Sequence, residues 1–528
     1  MKIGLVAAGS TRLGTARTFV HTRRWALPAL ALFALLRVPS FLEPHWYTDE
    51  GGYAAASRSL LQGRVLYSQV WNNKPPLHLW TIALDLALFR GSEAGLHVLT
   101  FLSGLATLAA LAWVGRPVLG TRRTVVALLL TAALLGTPVF DAELALPESL
   151  LIAPATWAAA IVLRRVWAPS APAVRRWPLL AGALAAAAIA FQQTAVADAA
   201  ALLLVMLFSP RVSLRQAGEY LGTVLAITVA WVAAAVLTAG PGAVAFALVG
   251  FYIPYSQSVL PASHAAFIRL AATLLSSFTL ICAGALSARR SSTFLWGAWV
   301  WAGADLLVAG AAQMPFAHFL TASVVPVILA VCGLPRPRVR GVPVLRLAGG
   351  GSLVSGVIVA GLMARVAGVD WIPELATSWT VAHPRDLDTY YLGAVQVLTR
   401  QGALEDLQDQ FDDRVASDRA AARWIREHGL SGRSAVAWSS DSWVYLMADL
   451  PLSLPTPPIY NDEVLLGNQG QVAAAVAGIN PDILITSDDA LQGFPEVKPL
   501  LGQRYHVVDR ELLNLVWLRD DVTVPGVP

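Results

Sequence analysis

Apolar runs of roughly 16–22 residues recur from Trp25 to about position 366, each long enough to cross a lipid hydrocarbon core as a helix. Inside lipid every backbone N–H and C=O must be satisfied within the segment, so this part of the chain can only be a bundle of spanning helices. Spans are expected near 25–42, 93–115, 124–140, 148–167, 177–191, 195–209, 217–239, 266–287, 293–311, 317–333 and 344–366, about eleven in all. The charged fraction agrees: 14%, where a soluble domain carries about 25%. The fold class read from this is a polytopic α-helical membrane protein.

The arginines set the orientation. Arg116, Arg122 and Arg123 form one cluster; Arg164, Arg165, Arg175 and Arg176 a second; Arg211 with Arg215, Arg289 with Arg290, and Arg336, Arg338 and Arg340 follow. With eleven spans, all of them fall on the side of the N-terminal tail 1–24, which holds Arg12, Arg17, Arg23 and Arg24. The positive-inside rule then puts the N-terminus in the cytoplasm of a plasma (inner) membrane protein, and the loop 43–90 outside. The net charge of +4 is explained by these clusters and asks for no nucleic acid. Cys282 and Cys332 both fall in apolar segments, so no disulfide framework is expected.

Within loop 43–90, segments Tyr53–Leu61 and Leu77–Phe89 read as amphipathic helices on the membrane face. From about Ala367 the composition becomes mixed and charged. Helices at Ser417–His428 and Gln471–Gly478 alternate with strands at Ser434–Trp438 and Asp482–Thr486, and Leu512–Leu518 reads as a last strand. The expected organisation is a tail 1–24, a membrane domain 25–366, and an extracytoplasmic α/β domain 367–528 without a Gly-rich phosphate loop.

Chemistry concentrates in the first outer loop. Asp49 and Glu50 read either as solvated acids capping a helix that starts at Gly51, or as a base held at the interface by an apolar, aromatic rim. Lys74, one of very few lysines, precedes Pro75-Pro76. It reads either as an interfacial lysine or as a point charge for a phosphate at headgroup depth. Glu148, just after Pro147, suits a helix N-terminus, or else joins Asp49 in a polar cavity with Asp141 and Glu143 nearby. His318 stands at the outer end of a span, and Asp198 and Asp305 lie inside apolar segments, where a charge must face a protein interior. The chain has no Walker motif and no His/Cys cluster with zinc spacing.

The run Asp49-Glu50-Gly51-x-Tyr53, Ala56, Leu60-Leu61-x-Gly63, Tyr67 and Lys74-Pro75-Pro76-Leu77-x-x-Trp80 resembles the bacterial glycosyltransferases of family 39. Their relatives are the protein O-mannosyltransferases and the lipid A aminoarabinose transferases, all of the GT-C class. Weaker matches continue at Arg37, Glu148, Phe191-Gln192-Gln193-Thr194-Ala195 and Phe316-Ala317-His318-Phe319 with Pro326. The sequence departs at Gln192, where relatives often have lysine, and at Phe319, where tyrosine is common. The resemblance implies a GT-C fold and transfer, with inversion, of a sugar from a polyprenyl-phosphate carrier to an extracytoplasmic acceptor. Carried over, Asp49 is the base, assisted by Glu50, and Lys74, Arg37 and Gln192 meet the donor phosphate. Tyr53, Tyr67, Glu148 and His318 line the substrate, and a divalent cation, if one is used, would sit on Glu50 and Glu148. The other readings are a lipid flippase, which the lack of inverted repeats disfavours, and an inactive envelope scaffold.

Overall fold

The computed structural model describes residues 24–170, 174–258, 271, 273–283, 295–311, 316–334, 386–439, 442–457 and 467–524. The expected span at 344–366, nearly all of the basic tail, Arg338, Arg340 and the junction near Ala367 lie outside these residues. Among the described residues, four stretches are long and apolar enough to cross a membrane: Arg24–Leu42, Ala94–Leu119, Pro147–Trp167 and Leu214–Ala239. Shorter apolar helices occupy Pro76–Phe89, Trp177–Phe191, Gln193–Phe208, Pro241–Tyr255 and Thr273–Ala283.

In chain order the bundle contains α1 (Leu27–Leu36), α2 (Thr48–Leu61), α3 (Pro76–Phe89), α4 (Glu93–Leu119), α5 (Thr121–Gly136), α6 (Pro147–Trp167), α7 (Trp177–Phe191), α8 (Val196–Phe208) and α9 (Leu214–Ala239). The long helix α6 is its axis: it is buried along most of its length and packs on α4, α7 and α8. The expected pair at 177–209 is present, with Gln192 in extended conformation and a 3-10 turn at Gln193–Ala195 between its halves. The run expected at 317–333 is not one helix. It is a 3-10 turn, Ala317–Leu320, followed by the nine-residue helix Val324–Cys332. Pro326 stands in that helix's first turn, where its missing N–H breaks no helical bond.

In the loop 43–90 helix α2 begins at Thr48, five residues before the expected start, with Tyr47 as N-cap. Asp49 and Glu50 therefore occupy the first helical turn, where the helix dipole favours carboxylates; neither is the cap itself. Helix α3 packs on α2, and Ser57 Oγ donates to Leu79 O at 2.9 Å across that contact.

The C-terminal part is the expected α/β unit, built on a four-stranded sheet. Strand β1 (Ala435–Trp438) runs parallel to β2 (Ile483–Ser487), with helix Gln469–Ile479 in the connection. A hairpin, β3 (Tyr505–Glu511) and β4 (Asn514–Arg519), completes the sheet antiparallel to β2. The last strand starts at Asn514 rather than Leu512, because Leu512 takes a left-handed φ of 53° in the hairpin turn.

This unit sits directly on α2. Trp443 is fully buried, stacks on His45 at 4.1 Å and donates Nε1–H to Tyr47 O at 3.0 Å. A Cβ on Gly51 would come within 3.1 Å of the Trp443 ring, so glycine is what lets the helix and the indole approach so closely. Arg58 donates to Tyr445 O at 2.9 Å and pairs with Asp449, and the Trp71 N–H donates to Pro455 O at 2.9 Å.

Candidate active site

Lys74 is held by its backbone. Its N–H donates to Asn72 Oδ1 at 3.0 Å, an Asx turn, and its carbonyl accepts the Tyr67 hydroxyl at 2.9 Å. The next two residues are prolines, and Pro76 opens α3, where its fixed φ suits a first helical turn. Tyr67 itself has φ 73°, an expensive conformation for a bulky residue, and its N–H is anchored on Val70 O at 2.6 Å. The preceding carbonyl, Asn73 O, accepts from Tyr252 Oη at 3.1 Å and from Gln193 Nε2 at 3.3 Å. Three segments thus fix one lysine: its own loop from Tyr67 to Pro76, Gln193 and Tyr252.

The charge around Lys74 is negative. Burial disfavours its ammonium, yet Tyr252, Glu148, Asp49 and Tyr255 outweigh burial and hold its pKa above the ordinary lysine value. Among these groups are the carboxylates of Glu148 and Asp49.

Those carboxylates reach the same place from different elements. Asp49 is half-buried in the first turn of α2. Glu148 is at the start of α6, behind Pro147, and accepts the Gln192 side-chain amide at 2.9 Å. Tyr53, one turn along α2 from Asp49, is buried in the field of Asp49 and Glu148 and meets the His78 ring edge-on at 4.6 Å. Asp141 is fully buried, has a left-handed φ of 52° and faces His318, with Oδ2 and Nδ1 3.3 Å apart. The arrangement brings a half-buried lysine and a half-buried Asp49 together with the buried carboxylates of Glu148 and Asp141. It can bind an anion and take up a proton at adjacent points.

The family model of the dolichyl-phosphate-mannose-protein mannosyltransferases matches residues 73–237, from the doorstep of Lys74 to the end of α9. No curated protein sequence matches the chain significantly. Among solved structures, ArnT from Cupriavidus metallidurans bound to undecaprenyl phosphate is similar at TM-score 0.60 and 19% identity, covering 93% of this chain and 97% of that one. Its apo state is similar at TM-score 0.56 and 18% identity, with the same coverage. The chain has the GT-C fold of the PMT/ArnT type.

Within this GT-C frame, not every residue expected at the site reaches it. Arg37, expected on the donor phosphate, is 1% exposed and turned to other partners: Nη2 donates to Thr100 Oγ1 at 2.6 Å, and Nη1 lies 4.0 Å from Glu143 Oε2. It belongs to a sealed network with Glu43, which accepts Tyr390 Oη at 2.6 Å and Trp46 Nε1 at 3.1 Å. Burial pushes the Glu43 carboxyl up to about 7. Gln192, also expected on the phosphate, has its amide N–H engaged by Glu148. Glu50 turns away from Asp49 to accept the Ala145 N–H, and burial pushes it up to about 8, so it is largely protonated near neutral pH. Among the described residues no three His, Cys, Asp or Glu side chains are grouped to hold a metal ion, and Glu50 and Glu148 acquire no third ligand.

The sequence reading missed Asn73, His78 and Tyr252. The first two flank the Lys-Pro-Pro step and were legible there. Tyr252 has no local signal, since only the fold brings it to Asn73.

Proposed function

We propose that the chain transfers a sugar from a polyprenyl-phosphate carrier to a hydroxyl-bearing acceptor on the outer face of the inner membrane. The observation that carries this reading is the position of Lys74. Its ammonium lies in the negative field to which Glu148 and Asp49 contribute, and Tyr67, Pro76 and Leu77 beside it line an apolar cavity of about 760 Å³. The cavity runs between α3, α7 and α9, with Trp80, Ala186 and Trp231 on its walls. A phosphate on Lys74 with an isoprenoid tail in that cavity matches both halves of such a donor. The similar ArnT structure that holds undecaprenyl phosphate supports this class of carrier.

In the proposed reaction the acceptor oxygen attacks the anomeric carbon while the bond from that carbon to the phosphate oxygen breaks. The electron pair stays on the phosphate, where Lys74 meets the growing charge. The acceptor's proton passes to Asp49, a step worth about 10²–10⁴-fold in rate. Attack from the face opposite the leaving phosphate inverts the anomeric centre. Glu148, held by Gln192, and the Asp141–His318 pair orient the sugar. Glu50, being protonated, holds the Ala145 turn against α2. The reading also keeps the N-terminus in the cytoplasm and the unit after about Ala367 outside.

The test is transfer from a panel of radiolabelled polyprenyl-phosphate sugars in reconstituted vesicles. Turnover with one donor, with an inverted product, supports the reading and names the sugar. Absence of transfer and of donor hydrolysis with every donor, in folded protein, counts against it.

A further inference from the structure

Two buried acids, Asp198 and Asp305, take no part in the proposed reaction. Asp198 is in the first turn of α8, and Asp305 lies within α10 (Trp296–Ala311). The two helices pack on each other. Asp198, Ala201, Leu202 and Val205 are buried at helical spacing on α8, as are Ala298, Trp301, Ala302, Asp305 and Ala309 on α10. Gly303 and Gly310, on the other face of α10, meet Ile281 and Thr273 instead. The acids are 4% and 5% exposed, and their side chains are hydrogen-bonded to each other. Trp301 Nε1 donates to Asp198 Oδ1 at 2.6 Å.

We propose that Asp198 and Asp305 form a proton-binding site: one proton, carried by Asp305, joins the two carboxyls and latches α8 to α10. Carboxylates only accept, so a hydrogen bond between two carboxyls needs a proton. Two facts place it on Asp305. Asp198 is stabilised as the carboxylate, since it accepts the Trp301 N–H and lies at the positive end of the α8 dipole. Asp305 stands inside its helix, away from either end, and its buried Oδ2 accepts no N–H or hydroxyl among the described residues. Ionised, it would leave a bare charge inside the bilayer, which is what spanning helices avoid. Among the described residues neither acid is ion-paired with a lysine or arginine.

The titratable groups on the neighbouring elements have other places. Tyr220 of α9 donates to Ala199 O at 3.1 Å, Glu148 of α6 accepts Gln192, and His318 faces Asp141. Arg164 and Arg165 are in the last turn of α6, and Arg215 pairs with Glu219 near the start of α9. Cys282 and Cys332 are free thiols on the helices packed behind α10. The pair therefore answers to its own proton. Without it, two carboxylates would face each other at low dielectric and repel. The consequence reaches the candidate site. Helix α8 grows out of the turn Gln193–Ala195, and Gln193 Nε2 donates to Asn73 O at 3.3 Å and to Leu248 O at 3.4 Å. The proton thus helps to hold the turn that braces the Lys74 loop.

The experiment uses the full chain in detergent, as wild type, Asp305→Asn and Asp198→Asn. The amide introduced by Asp305→Asn still donates to Asp198, so that variant keeps the contact without the titrating proton. Infrared spectroscopy reads the carbonyl stretch of protonated carboxyls, and subtracting a variant from wild type cancels Glu50 and every other acid. At neutral pH, Asp305→Asn should lose one such band and Asp198→Asn none. No band lost in Asp305→Asn, or one lost in Asp198→Asn, would overturn the site. Amide hydrogen exchange across 193–202, read by mass spectrometry, follows the latch. Between about pH 7 and about pH 10, wild type should open relative to Asp305→Asn at the same pH, by about tenfold at the upper end, because only wild type has the proton to lose. Equal exchange in the two at every pH would overturn the latch. Neither readout uses sugar transfer, so both decide the question whatever the donor panel gives.

Discussion

Two charged clusters, one around Lys74 and one around Arg37, differ in access. Around Lys74 the cation and Asp49 are half-buried, and the backbone, not the side chain, takes most of the hydrogen bonds. Around Arg37 the guanidinium and the Glu143 and Glu43 carboxylates are each at most 1% exposed, and the lid is Tyr390 from the C-terminal unit. Both clusters are made of residues that sequence resemblance marks or flanks. Burial separates their roles: a reachable charge can meet a substrate, whereas a sealed ion pair holds the first span to the C-terminal unit.

The largest effect that would sharpen this contrast is Lys74→Ala. Transfer should fall by about 10²–10³-fold or more, as for loss of a preorganised charge on a leaving group, with the melting temperature unchanged. A variant that lost both together would merge the two clusters into one structural role. Next, Arg37→Ala should unfold the protein more easily, by about 3–5 kcal/mol, because it strands the buried Glu143. Thermal melting in detergent would read it; an unaltered melt with lost turnover would move Arg37 to the donor.

Glu50 gives a pH signature. Its folded pKa, about 8, is above the ordinary glutamate value of 4.5, so the folded state keeps a proton that the unfolded state loses. Its contribution to stability is full below about pH 4.5 and drains away as pH rises through about 8, and the melting temperature should fall across that window. Glu50→Gln should flatten this slope; an equal slope in the variant would remove Glu50 from the account. The smallest effect is Tyr390→Phe, which deletes one hydrogen bond to Glu43 and should cost about 1 kcal/mol of stability with turnover per folded molecule intact.

The bundle was legible because lipid imposes length and apolarity on each span, and the α/β unit because its helices and strands alternate. What escaped was tertiary. The start of α2 at Thr48 depends on two acids that read equally well as loop or first turn. Strand β3 hides behind the charged end Asp509-Arg510-Glu511, and its bulge between Val507 and Asp509 breaks the alternation that would reveal it. At the site, Lys74, Asp49 and Glu148 could be named from the chain because their motif is local. The assignment of Arg37 to a phosphate could not be checked there, since its neighbours Thr100, Glu143 and Glu43 converge from three segments. The packing of Trp443 on Gly51 spans most of the chain and leaves no trace in either local sequence.

The most direct measurement sets one residue from each cluster side by side: single-turnover transfer and thermal melting of Asp49→Asn and Glu143→Gln. The account predicts that Asp49→Asn melts like wild type and loses turnover by about 10²–10⁴-fold, while Glu143→Gln melts earlier and its folded fraction still transfers sugar. Retained turnover in Asp49→Asn, with turnover lost in a normally melting Glu143→Gln, would contradict it.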